Sequence, residues 1–84
     1  MSDLTEAQRW WLRRIARHPG DLVVFFDAAT GRDRWAIGMS GVSPQALKTL
    51  LALELIKLGR PIKSRGDKQI VTLTPKGRRK VSDV

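Results

Sequence analysis

The chain has 84 residues, 42% of them hydrophobic, and no cysteine. That length fills one hydrophobic core, so residues 1–84 are expected to form a single domain, and the apolar share is well above that of disordered chains. Disulfides and thiolate metal sites are excluded, and no apolar stretch approaches the roughly 20 residues of a membrane span. Met1-Ser2-Asp3-Leu4-Thr5-Glu6 has neither a basic leader nor an apolar run, so the expectation is a cytoplasmic protein with no secretory signal and no membrane contact.

The net charge is +8, and its location says more than its size. Nine basic residues (Lys57, Arg60, Lys63, Arg65, Lys68, Lys76, Arg78, Arg79 and Lys80) face Asp67 alone between residues 57 and 80. Nine minus one is +8, the net charge of the whole chain, so the other seven basic and seven acidic residues cancel. Solubility alone accounts for charges of about 2 to 8 on small domains. The asymmetry favours a polyanionic partner.

Along the chain, Thr5-Glu6-Ala7-Gln8 fits a capping box, with a helix running to about His18 and stopped by Pro19-Gly20. A helical period turns Ala7, Trp11, Leu12 and Ile15 inward. Arg9, Arg13 and Arg17 stack on the opposite face, with Trp10 and Arg14 on its flank. This stripe is either a solvated outer face or a partner interface, and a homodimer anchored on Trp10 is one form of the second option. His18 fits a helix-end residue; with no second histidine and no cysteine, neither a zinc cluster nor a Ser-His pair can be assembled around it. Neither a cofactor nor catalysis is expected.

Leu22 to Asp27 and Arg34 to Met39 are rich in β-branched and aromatic residues around the turn-like Ala28–Asp33, predicting a β-hairpin. The competing assignment makes Leu22–Ala29 a short helix. Phe26, Trp35 and Ile37 are expected in the core. Thr30-Gly31-Arg32 lacks the following Gly-Lys-Ser/Thr of a phosphate loop.

Ser43-Pro44 reads as a helix start, hydroxyl at the cap and proline at the first helical position. Leu47, Leu50 and Leu51 form a buried face, which Leu53 and Leu55 extend. Gln45, Lys48, Thr49 and Ala52 form the complementary strip, either the wet side of the helix or the side that reaches base edges. Glu54 falls at a turn, and Leu55–Leu58 leaves as a strand, unless the helix continues to Gly59. Residues 58–63 and 69–74 then pair around Ser64–Lys68, with Ile70 and Thr72 on one side and Val71 and Leu73 on the other. Pro75 restarts a helix with a strongly basic end, and the last residues are expected to fray.

Ser43-Pro44, the spaced Leu47, Leu50 and Leu53, Leu55-Ile56 and Leu73-Thr74-Pro75-Lys76-Gly77-Arg78 together resemble the C-terminal half of a winged helix-turn-helix DNA-binding domain, of the kind seen in MarR-like regulators. The resemblance implies a small winged-helix-like α+β domain, with an N-terminal helix, a β-hairpin, a recognition helix over 43–53, a basic wing over 57–73 and a short C-terminal helix. It implies a transcriptional regulator of double-stranded DNA, with Gln45, Lys48 and Thr49 as base or phosphate contacts and Arg65 and Lys68 as wing contacts; Ser43, Lys63 and Lys76 complete the expected DNA-binding set. Two departures accompany it. Glu54 stands where many relatives have glycine, and residues 20–42 read as strands where a supporting second helix is normally found. The competing expectation is a winged protein-interaction module, or accessory subunit of a nucleoprotein complex, using Arg9, Trp10, Arg13 and Arg17. RNA is disfavoured, since no solvent-facing aromatic platform is expected on a strand.

Overall fold

A computed structural model describes residues 4–82, apart from the side chain of Arg65. Residues 1–3 and the last residues, which are expected to fray, lie outside the described residues. The element order is α1 (Glu6–Arg17), β1 (Leu22–Asp27), β2 (Arg32–Ile37), β3 (Ser40–Gly41), α2 (Gln45–Ala52), β4 (Ile56–Leu58), β5 (Gln69–Leu73) and α3 (Pro75–Ser82). All strand pairings are antiparallel, in the order β3-β2-β1-β5-β4, giving a small α+β domain.

The capping box forms: Gln8 N donates to Thr5 Oγ1 at 3.2 Å and Thr5 N to Gln8 Oε1 at 2.9 Å. Leu12 and Ile15 are buried and Trp11 half-buried, as the helical period requires, and Leu4 joins them from just before the cap. Ala7 is exposed, at the edge of that face. The hairpin is real, and the short-helix assignment for 22–29 is not. Its register runs from Leu22 opposite Ile37 to Asp27 opposite Arg32, so the second strand begins and ends two residues earlier than predicted. Asp27 builds the turn, its Oδ1 accepting from Ala29 N at 3.0 Å and its carbonyl from Gly31 N at 2.8 Å, and Gly31 supplies a φ of 70°. Met39 lies in a two-residue turn with Gly38, and Ser40–Gly41 adds a further strand pairing back on β2.

Alternation sorts the sheet into two faces. Leu22, Val24, Trp35, Ile56, Val71 and Leu73 are buried on the face that α1 and α3 cover, where Leu47, Leu50 and Leu55 complete the core. Phe26 shares their parity and was expected among them, yet it is 64% exposed. The β1–β5 pairing ends at Val24–Gln69, so the hairpin continues past the main body and Phe26 has no layer above it.

Helix α2 begins later than the Ser43 cap predicts. Pro44 is already helical (φ −83°, ψ −3°), its carbonyl accepts from Lys48 N at 2.7 Å, and no side chain caps this end. The other end is well defined. Leu55 N donates to Leu50 O at 3.0 Å and Glu54 N to Leu51 O at 3.0 Å, the paired bonds of a Schellman motif. Glu54 adopts the left-handed conformation at φ 62°, the geometry that favours glycine there. The chain turns before Leu53 can join the core, leaving it 40% exposed.

This turn is held from behind by α3. Thr74 N donates to Leu55 O at 3.1 Å and Thr74 Oγ1 to Glu54 O at 2.6 Å, while Gly77 N donates back to Thr74 Oγ1 at 3.0 Å. One threonine therefore caps α3 and ties down the end of α2. Gly77 is buried because α3 rests on the Leu55 carbonyl, into which a Cβ at 77 would be driven.

Opposite stability changes are expected at this junction. Gly77→Ala should lower stability by about 1–3 kcal/mol, a Tm decrease of roughly 5–20 °C for a domain of this size. Glu54→Gly should raise it by about 0.5–1 kcal/mol, the left-handed penalty less glycine's chain entropy. Thermal unfolding followed by circular dichroism checks both signs.

Candidate nucleic-acid interface

On α2 the buried Leu47 and Leu50 define the inner face, and Gln45, Lys48, Thr49 and Ala52 form an exposed stripe at i, i+3, i+4 and i+7. Thr49 Oγ1 bonds the Gln45 carbonyl at 3.2 Å, so its methyl group is left as its outward chemistry. A shallow cleft of about 460 Å³ runs beside the stripe, where Ser43, Gln45 and Thr49 meet Thr5, Gln8 and Trp11 of α1. The structure thus gathers Ser43, Gln45 and Thr49 on the α1 side, with exposed Lys48 a turn along the stripe.

The β4–β5 hairpin is more elaborate than two strands and a loop. Three residue pairs, from Ile56–Leu73 to Leu58–Val71, are followed by Gly59 N donating to Ile70 O at 2.9 Å and an isolated bridge between Ile62 and Lys68. Gln69 Nε2 fills the gap by donating to Gly59 O at 2.9 Å. The tip is a 3₁₀ turn over Lys63–Arg65, closed by Gly66 and Asp67, both at positive φ. Asp67 N donates to Ile62 O at 3.0 Å, which braces the tip across its base. Arg60 and Lys63 are exposed here, and Lys57 is exposed on β4. Arg65 falls within the 3₁₀ turn, its side chain outside the described residues.

Two predicted residues sit apart from this tip. Lys68 is half-buried, its Nζ 5.5 Å from the centre of the Phe25 ring. Lys76 is exposed in the first turn of α3, behind the end of α2 rather than on the hairpin.

The α1 residues divide as well. Arg13 and Arg17 are exposed and Trp10 is 52% exposed, its ring edge-on to Trp11 at 4.9 Å and 85°. Arg9 is only half exposed and falls at the margin of the stripe, displaced by the 40° that a spacing of four residues accumulates. Arg14 takes its place: it pairs with Asp21 at 3.2 Å and lines a shallow cavity of about 180 Å³ with Trp10, Arg13, Arg17 and His18. His18 itself is the C-cap, its N–H bonded to Arg14 O at 2.9 Å. Helical spacing places Arg14 on the flank of the stripe; its partner Asp21, beyond Pro19-Gly20, could not be read from the sequence.

No protein-family model, curated protein or solved structure matches the chain.

Lys48 and Lys63 lie at the surface without contributing to the core. Lys48→Ala and Lys63→Ala should each unfold within about 0.5 kcal/mol of the wild type in urea titrations. Changes in their binding then report the interface and not the fold.

Proposed function

We propose that the chain is a small winged-helix DNA-binding protein, a transcriptional regulator, that reads duplex DNA with the outer stripe of α2 and holds the phosphate backbone with the β4–β5 hairpin. The observation that carries this reading is the rigid coupling of the two. Only residues 53–55 separate α2 from β4, and they are locked by the Schellman bonds and the Thr74 bridge, so the stripe and the hairpin cations keep a fixed mutual geometry. An α-helix with its side chains is about 10–12 Å across, which fits the roughly 12 Å width of the major groove. Its chemistry suits base edges: Gln45 can pair with adenine, Lys48 with guanine, and the methyl groups of Thr49 and Ala52 can meet thymine methyl.

The order β1-β5-β4 supports the winged arrangement, since it anchors the hairpin in the domain sheet. The support beneath α2 differs from the familiar pattern. Residues 22–41 form strands, and α1 packs directly on α2 where a second helix would stand. In this reading α1 acts as the supporting helix, and the β1–β2 hairpin occupies the space of the missing one.

A second reading keeps the fold and moves the contact surface to α1, making the chain a protein-interaction module or nucleoprotein accessory subunit. Half-exposed Trp10 beside Arg13 and Arg17 favours it, by aromatic and arginine enrichment at interfaces. The same arginines would repel a second copy, so a homodimer through this face needs anions between the subunits. Sedimentation as a monomer at high concentration removes the dimer.

Selection of duplexes from a random pool at near-physiological salt tests the first reading, with heparin as competitor. A recovered consensus supports it; equal affinity for heparin and any duplex shifts the weight to α1. With Arg60, Lys63 and Arg65 on phosphates, doubling the salt should weaken binding roughly sixfold, a slope near −0.9 for each contact. Lys63→Ala should weaken all duplexes alike and flatten that slope by about 0.9, whereas Lys48→Ala should also relax preference at one base pair. An affinity unmoved by salt contradicts the electrostatic part of the account.

A further inference from the structure

One face of the sheet is covered by helices; among the described residues no helix packs on the other. The register fixes what this second face carries. One row across the strands is Ile70, Val23, Ala36 and Gly41, small or apolar throughout. Beside it, Arg34 stands opposite Phe25 on one flank, and the Lys68 ammonium lies 5.5 Å from the ring centre on the other. Arg32, opposite Asp27, and Lys57, opposite Thr72, add cations further out. The carboxylates of Asp27 and Asp21 border this face, and both are engaged: Asp27 pairs with Arg34 at 3.3 Å, and Asp21, which lines a shallow pocket with Val23 and Lys68, pairs with Arg14 at 3.2 Å. A half-buried aromatic ring with one cation over it and another on the neighbouring strand, on a face with a surplus of positive charge, is a combination that can stack a base and hold the adjoining phosphates.

We infer that this face binds single-stranded nucleic acid, with Phe25 as the stacking platform and Lys68 and Arg34 as its phosphate contacts. The sequence alone predicts no solvent-facing aromatic platform on a strand, since it places Phe26 in the core and leaves Phe25 unconsidered. The register puts Phe25, not Phe26, among the cations. Before a base arrives, Lys68 occupies the ring by a cation–π contact; an incoming base displaces it and frees the ammonium for an adjoining phosphate. Charge complementarity selects a polyanion over an apolar protein partner, and the ring selects a strand with unpaired bases over a duplex. The inference does not rest on the duplex reading of α2, which concerns the helix-bearing side of the molecule.

The test is fluorescence anisotropy with labelled oligo(dT) and oligo(U) of about 12 nucleotides, within the site sizes known for such platforms, alongside a hairpin duplex. Phe25→Leu keeps an apolar side chain in the strand and removes the ring. It should weaken both single strands roughly tenfold or more, the range of one lost stacked base, with duplex affinity unchanged. Lys48→Ala should do the reverse. A preference for oligo(U) over oligo(dT), or the opposite, names the natural strand. As a check independent of the variant, the Phe25 ring protons of the wild type should shift upfield in NMR spectra when oligo(dT) is added. Single strands that bind Phe25→Leu as well as wild type, ring protons that stay in place, or no single-strand binding at all would each overturn the inference. Loss of duplex binding alone would sink the α2 reading and leave this one standing.

Discussion

The turn between α2 and β4 governs the rest of this molecule. Eight helical residues are too few to hold their orientation by their own hydrogen bonds. Helix α2 is instead fixed at its C-terminal end, where the carbonyls of Glu54 and Leu55 are both taken by Thr74. These carbonyls would otherwise be unpaired groups at a helix end against the core. The side chain that satisfies one of them also starts α3, whose backbone comes down on Leu55 because residue 77 has no Cβ. A single threonine and a single glycine thereby join three elements distant in sequence. The cost is carried by Glu54, held in a left-handed conformation that the surrounding bonds impose.

From this junction the proposed interface follows by geometry. The stripe on α2 carries one cation, Lys48, while the hairpin carries Lys57, Arg60, Lys63 and Arg65. Affinity from phosphate attraction and sequence preference from base contact are thus assigned to separate elements, a common division in protein–DNA interfaces. The division works only if the elements cannot move independently, which the Thr74 bridge provides. Lys68 stands apart from both, drawn to the Phe25 ring on the far side of the sheet.

Much of this was legible in the sequence, wherever a local rule had no competitor. Thr5 and Gln8 announced a capping box, the Leu73–Gly77 run marked the restart of helix, and alternation in 70–73 separated the two faces of β5, of which the structure buries Val71 and Leu73. The misreadings share a physical origin: burial depends on what stands above a residue, which no local period encodes. Phe26 has strand parity with the core but lies past the last β1–β5 pair, and Leu53 has helical spacing but lies in the turn. At Ser43 the expected hydroxyl cap is not made: Pro44 takes the helical conformation, but no side chain bonds this end of the helix. The two-residue strand β3 and the bridge at Ile62 are too short for any periodicity to reveal.

The most direct test of the central claim is to map amide chemical shifts as a selected duplex is titrated in at near-physiological salt. The account predicts perturbations concentrated on Gln45, Lys48, Thr49 and residues 63–67, with the α1 face around Trp10 and Arg17 unmoved. Perturbations confined to α1, or none at saturating duplex, would contradict it.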